Sequence, residues 1–156
     1  MLKKLVSFFK GKAALKASLD SVKGEALEKE LLLASTVILV EAASADSDID
    51  PIEAEEICRL LTQEFNVSDK DLPELVELAV NVRDEAEKIE EFIDFLCENF
   101  TKPQKKKLFA MVWRVIIADG RIDAFEKRFA TNLKFRLRLD NVETDQAKAL
   151  AEKGKI

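Results

Sequence analysis

The sequence predicts an all-α protein, a single compact domain of six to eight helices. Three observations carry this: apolar residues recur at helical spacing almost from end to end, only four Gly and three Pro occur in 156 residues, and cap residues mark the starts of the apolar stretches. So little turn punctuation excludes an all-β sandwich or barrel. It also excludes the glycine-rich phosphate loops.

Taken in order, residues 1–22 form a basic amphipathic segment, with Leu2, Leu5, Val6, Phe8 and Phe9 on or near one face and lysines at 3, 4, 10, 12 and 16. Its apolar run stops at Lys10 with no small-residue cleavage site in reach, which argues against secretion. Such a segment suits an anionic membrane surface, packing on the domain, or a mobile arm. The domain proper spans 23–156. Its first helix, 25–45, is apolar nearly all round in its second half, where Glu41 is the lone charge. It is too short for a bilayer and reads as a central buried helix. Further helices are expected at 51–65, 69–82, 86–99, 103–118, 124–138 and 142–153. Ser68-Asp69-Lys70-Asp71 and Thr101-Lys102-Pro103-Gln104 are N-cap patterns, in which a side-chain oxygen satisfies free N–H groups of the first turn.

Composition removes many functions. With no histidine there is no Ser-His-Asp or Cys-His pair and no His-ligated metal. Glycoside hydrolysis needs an aromatic-lined cleft, and Trp113 is the only tryptophan in a chain without tyrosine. The expectation is a non-enzymatic protein without an organic cofactor or small-molecule substrate. Cys58 and Cys97 sit within apolar helical patterns and read as reduced, buried thiols of a cytoplasmic protein. The net charge of −5 divides into +5 over residues 1–24, −17 over 25–99 and +7 over 100–156. This favours docking of the acidic middle against one or both basic ends. Lys105-Lys106-Lys107 is short and Lys134, Arg136 and Arg138 alternate on helix faces, so they suit a solvated or intramolecular face better than nucleic acid.

An internal repeat carries the functional signal. Ala45-Asp46-Ser47-Asp48-Ile49-Asp50-Pro51-Ile52-Glu53 aligns without a gap on Ala118-Asp119-Gly120-Arg121-Ile122-Asp123-Ala124-Phe125-Glu126. Two tandem helix-turn-helix repeats, about 25–99 and 100–153, are therefore expected, with a pseudo-two-fold relation. Asp50 and Asp123 read as N-caps, Glu53 and Glu126 as the returning halves of capping boxes, and Gly120 as a positive-φ residue ending a helix. Ile49 and Ile122 are expected to plug the turns into the core. Asp46 and Asp119 remain, at the unfavourable end of the helix dipole, each needing a basic side chain, the N–H groups of the next turn, or a cation. The segment is not an EF-hand: Pro51 stands at the loop's glycine position and Ile57 at its bidentate glutamate.

The doubled pattern A-D-(S/G)-x-I-D-x-(I/F)-E, each copy closing an apolar helix, resembles the TerB-like tellurite-resistance family over about residues 25–153. The resemblance includes Leu39-Val40-Glu41-Ala42-Ala43 and Met111-Val112-Trp113-Arg114-Val115 before the two turns. It implies a compact helical cation-binding protein of bacterial stress systems. By matching positions, Asp46, Asp50, Glu53, Asp119, Asp123 and Glu126 are the candidate metal ligands. Oxygen-only donors favour Ca²⁺, Mg²⁺ or Mn²⁺. The alternative is a metal-free interaction module, cytoplasmic or peripheral at the inner membrane face, whose acidic turns are helix caps and whose partners are proteins or an anionic membrane reached through residues 1–22.

Overall fold

A computed structural model describes residues 26–43, 50–83 and 89–154. The basic segment 1–22 and Asp46, Ser47, Asp48 and Ile49 of the first turn lie outside the described residues. Seven helices and no strand occur among the described residues: α1 (Ala26–Ala43), α2 (Pro51–Phe65), α3 (Leu72–Arg83), α4 (Ile89–Asn99), α5 (Lys102–Ile117), α6 (Ala124–Arg136) and α7 (Asn141–Glu152).

The expected caps Asp50, Thr101 and Asp123 act at their helix starts, and Asp140 is a further one not anticipated from the sequence. Thr101 accepts from the Gln104 N–H while the Gln104 side chain accepts from the Thr101 N–H, and Asp140 with Glu143 forms the same reciprocal box before α7. Asn66 ends α2 in the left-handed conformation at φ 56°, its N–H donating to the Leu61 and Thr62 carbonyls. Among the described boundaries the largest difference is at the start of α3. α3 begins at Leu72 rather than near residue 69, because Ser68 donates its hydroxyl to the Asp71 carboxylate and its carbonyl holds a turn over the intervening residues.

The core is built around α1. Every residue from Leu32 to Val40 is buried, and α1 packs against α2, α3, α4, α5 and α6. A helix apolar on all sides is stable only when neighbours cover every side, as they do here. In the second repeat α5 takes the same place, burying Leu108 to Trp113, Val115 and Ile116 against α1, α2, α6 and α7. Helices α1 and α5, which run into the two acidic turns, thus lie in contact at the centre.

Ion pairs join the acidic middle to the basic C-terminal part: Lys107 to Glu64 at 2.5 Å, Arg114 to Glu56 at 3.0 Å, and Arg136 to Glu90 at 3.1 Å and Asp94 at 3.4 Å. The expected docking of opposite charges therefore exists at the C-terminal end. Both cysteines are free and half-buried. No described helix is long and apolar enough to cross a membrane.

Candidate functional site

The turn between α5 and α6 shows how local chemistry arranges the carboxylates. Helix α5 ends at Ile117, and Gly120 turns the chain at φ 76°, a conformation strained for any residue with a Cβ. Asp119 Oδ1 then accepts from the Arg121 N–H at 2.9 Å. Of its three conceivable partners, the backbone of the next turn is the one Asp119 finds. Arg121 is exposed and makes no ion pair with a described residue. Asp123 caps α6, its Oδ1 accepting from the Glu126 N–H at 2.8 Å. In the first repeat Asp50 caps α2 through the Ile52 N–H at 2.7 Å, with Pro51 at the position that needs no donor.

Glu53 and Glu126 occupy equivalent positions, the third residue of α2 and of α6, and both are nearly inaccessible, at 4% and 5% exposure. Capping alone does not demand this. Gln104, at the same position of a complete capping box, is exposed. Glu126 Oε2 has no hydrogen-bond partner in its buried site. Its carboxyl is pushed up to about 9, first by burial, then by the hydrogen-bonded Asp123 carboxylate and by the negative charges of Glu53 and Asp123; the Asp123 N–H offsets a part. The negative charge of Glu53 is felt at Glu126, so the buried glutamate of the first repeat lies within electrostatic range of that of the second. Asp50 and Asp119 stay engaged with their own turns, and Asp46 lies outside the described residues. Among the described residues no group of three or more His, Cys, Asp or Glu is arranged to hold a metal ion.

The inward turn of the glutamates also corrects the expectation for Ile122. It does not plug the core: Ile122 is 41% exposed, beside Phe125 at 58%, and Ile52, equivalent to Phe125, is 51% exposed. Successive helical residues point about 100° apart, so a glutamate aimed inward at the third position turns the second outward. A residue before the cap usually packs on the fourth helical residue, which in α6 is Lys127. The result is an exposed apolar residue next in sequence to each buried glutamate, Ile52 before Glu53 and Phe125 before Glu126.

The family model for tellurite resistance protein TerB matches residues 32–149. The chain belongs to the TerB family. The TerB match spans all six candidate carboxylates and all seven helices in whole or in part. No curated protein and no solved structure matches this TerB chain.

A second polar cluster, not anticipated from the sequence, lies one helical turn beyond Glu53. Glu56 Oε1 accepts from Arg59 Nη2 at 2.5 Å and from Arg114 Nε at 3.0 Å, and Arg114 Nη1 also reaches the Ala151 carbonyl at 3.4 Å. Burial works against the ionised Glu56 carboxylate, but the two guanidinium groups hold it below its usual range. The signal in the sequence was Arg114, a lone charge within the apolar run of α5 in this TerB chain, at a place where a cation needs a carboxylate from a neighbouring helix.

Proposed function

We propose that this TerB-family chain is a non-enzymatic cation-binding module that holds a hard divalent ion between its two acidic turns. The observation that carries the reading is the buried, unpartnered Oε2 of Glu126, on which the charge of the equivalent, buried Glu53 acts. A carboxyl group removed from water, with one oxygen unpartnered and other negative charges acting on it, is costly unless it keeps its proton or a cation neutralises it. All donors are oxygens, which suits Ca²⁺, Mg²⁺ or Mn²⁺. Among the described residues Glu126 and its neighbour Asp123 would hold the ion, with Glu53 acting on it through its charge, and Asp46, Asp50 and Asp119 are the remaining candidates. The ion would supply charge neutralisation that locks the starts of α2 and α6 together.

The site also dictates a signature. Because Glu126 keeps its proton near neutral pH, loading the ion should release one. Calorimetric titration with each cation at pH 7.5, in two buffers of different ionisation enthalpy, is expected to show saturable heat that scales with the buffer. Glu126→Gln should lose both. Absence of binding heat at millimolar cation sinks the reading.

The second reading, a metal-free interaction module, rests on a specific observation of its own. Asp50, Asp119 and Asp123 each have a backbone donor that accounts for them, and Ile52, Ile122 and Phe125 are exposed apolar side chains. Under this reading the thermal midpoint is indifferent to EDTA and to added divalent ions, and capture of a partner weakens with salt.

A further inference from the structure

On the side of the acidic repeat, α2 and α3 enclose a groove of about 350 Å³ between a wall of Ala54, Ile57 and Cys58 and a wall of Leu72 and Val76. Its lining is apolar except for Asp69. Burial first, and then the charges of Asp69 and Glu55, push the Cys58 thiol up, so both carboxylates lie within electrostatic range of it. Neither carboxylate makes an ion pair with a described residue, whereas Glu56, Glu64, Glu90 and Asp94 are engaged by the basic C-terminal part. The groove is thus an apolar slot with an acidic edge that the second repeat leaves uncovered. The chain carries one segment of complementary chemistry: residues 1–22, basic, with Phe8 and Phe9 adjacent to each other and to Lys10.

We propose that the segment 1–22 docks on this groove of its own domain, Phe8 and Phe9 entering between α2 and α3 and the lysines facing Glu55 and Asp69. Reach does not limit it. Residues 10–25 span roughly 50 Å when extended, against a length of about 27 Å for the whole of α1. Opposite charge steers the segment to the groove, and burial of the two phenyl rings holds it there. The cation reading plays no part in this inference.

Cys58 in the groove wall is the reporter and Cys97, on α4, the reference. Alkylation of both thiols by iodoacetamide is followed in the full chain by mass spectrometry of the derived peptides. A segment docked nine-tenths of the time protects Cys58 about tenfold, so Phe8→Ser/Phe9→Ser should raise its rate about that much and leave Cys97 unchanged. Lys3→Glu/Lys4→Glu should raise it as well, although added negative charge alone suppresses the reactive thiolate. Unchanged Cys58 rates in both variants overturn the proposal, and so does an acceleration shared by Cys97, which reports general loosening. Protection that fades on dilution assigns the segment to a second copy and overturns docking on its own domain. Loss of sedimentation with phosphatidylglycerol vesicles at an unchanged Cys58 rate assigns it to a membrane surface and overturns it too.

Discussion

Glu126 concentrates the tension in this molecule, because a group that is ionised in the unfolded chain near neutral pH must hold a proton in the folded one. Its folded carboxyl lies at about 9, against an ordinary 4.5. Below pH 4.5 both states are protonated and the site costs nothing. As pH rises, the unfolded chain ionises first, so stability falls through the interval and levels off only above the folded value. Glu126→Gln keeps the shape and deletes the proton equilibrium. At pH 8 without divalent ions it should be more stable than wild type by roughly 2–4 kcal/mol, allowing for relaxation of the site. Denaturant melts from pH 5 to 9 check this: the wild-type slope should vanish in the variant. A variant less stable than wild type at pH 8 would mean that the carboxylate is ionised and satisfied in the apo protein.

Between elements, the contact with the most at stake is Arg114, through which α5 reaches both α2 and α7. Its guanidinium is the partner that Glu56 receives from another helix, and the Glu56 side chain is only 13% exposed. Arg114→Ala removes the fork and leaves Glu56 with Arg59 alone, at an expected cost of about 2 kcal/mol. Arg114→Lys should recover part of this, since an ammonium keeps the charge and loses the second contact. Glu56 is held below its usual range, so its contribution is present above pH 4.5 and is lost as pH falls through the folded value. Acid melts of Arg114→Ala should accordingly lose part of the wild-type dependence below pH 4.5. This scale also marks what was legible in the sequence. The helices were, because their limits are set by local chemistry: Thr101 with Gln104, Asp123 before α6, and Gly120 at positive φ act within a few residues of themselves. The candidate site was legible only in part. The repeat identified Glu53 and Glu126 as equivalent, but their burial, the unpartnered Oε2 and the exposure of Ile122 and Phe125 follow from tertiary packing that no local pattern records. Glu56 with Arg114 was hidden for the same reason, a contact 58 residues apart in the chain.

At the scale of the whole molecule, the segregation of charge decides how it answers to salt. A net charge of −5 spread evenly would repel itself, and salt would relieve that repulsion and stabilise the fold. Here the acidic middle is joined to the basic C-terminal part through Lys107–Glu64, Arg114–Glu56 and the Arg136 pairs with Glu90 and Asp94. Attraction between the halves therefore outweighs the net repulsion, and screening should weaken the fold. Each pair is partly exposed and worth well under the energy of a buried contact, so raising NaCl from 50 mM to 1 M should cost about 1–2 kcal/mol in all. That corresponds to a fall in thermal midpoint of roughly 3–8 °C. Lys107→Glu should lower the midpoint at low salt and lose most of its penalty at 1 M, and Lys107→Glu/Glu64→Lys should restore it. Divalent chlorides compared at equal ionic strength separate this general effect from the acidic site: screening lowers the midpoint for every salt alike, whereas a bound ion raises it for its own chloride and not in Glu126→Gln. A midpoint that stays flat or climbs with NaCl would show that the two halves are held by their apolar faces alone, with α1 against α5 carrying the junction.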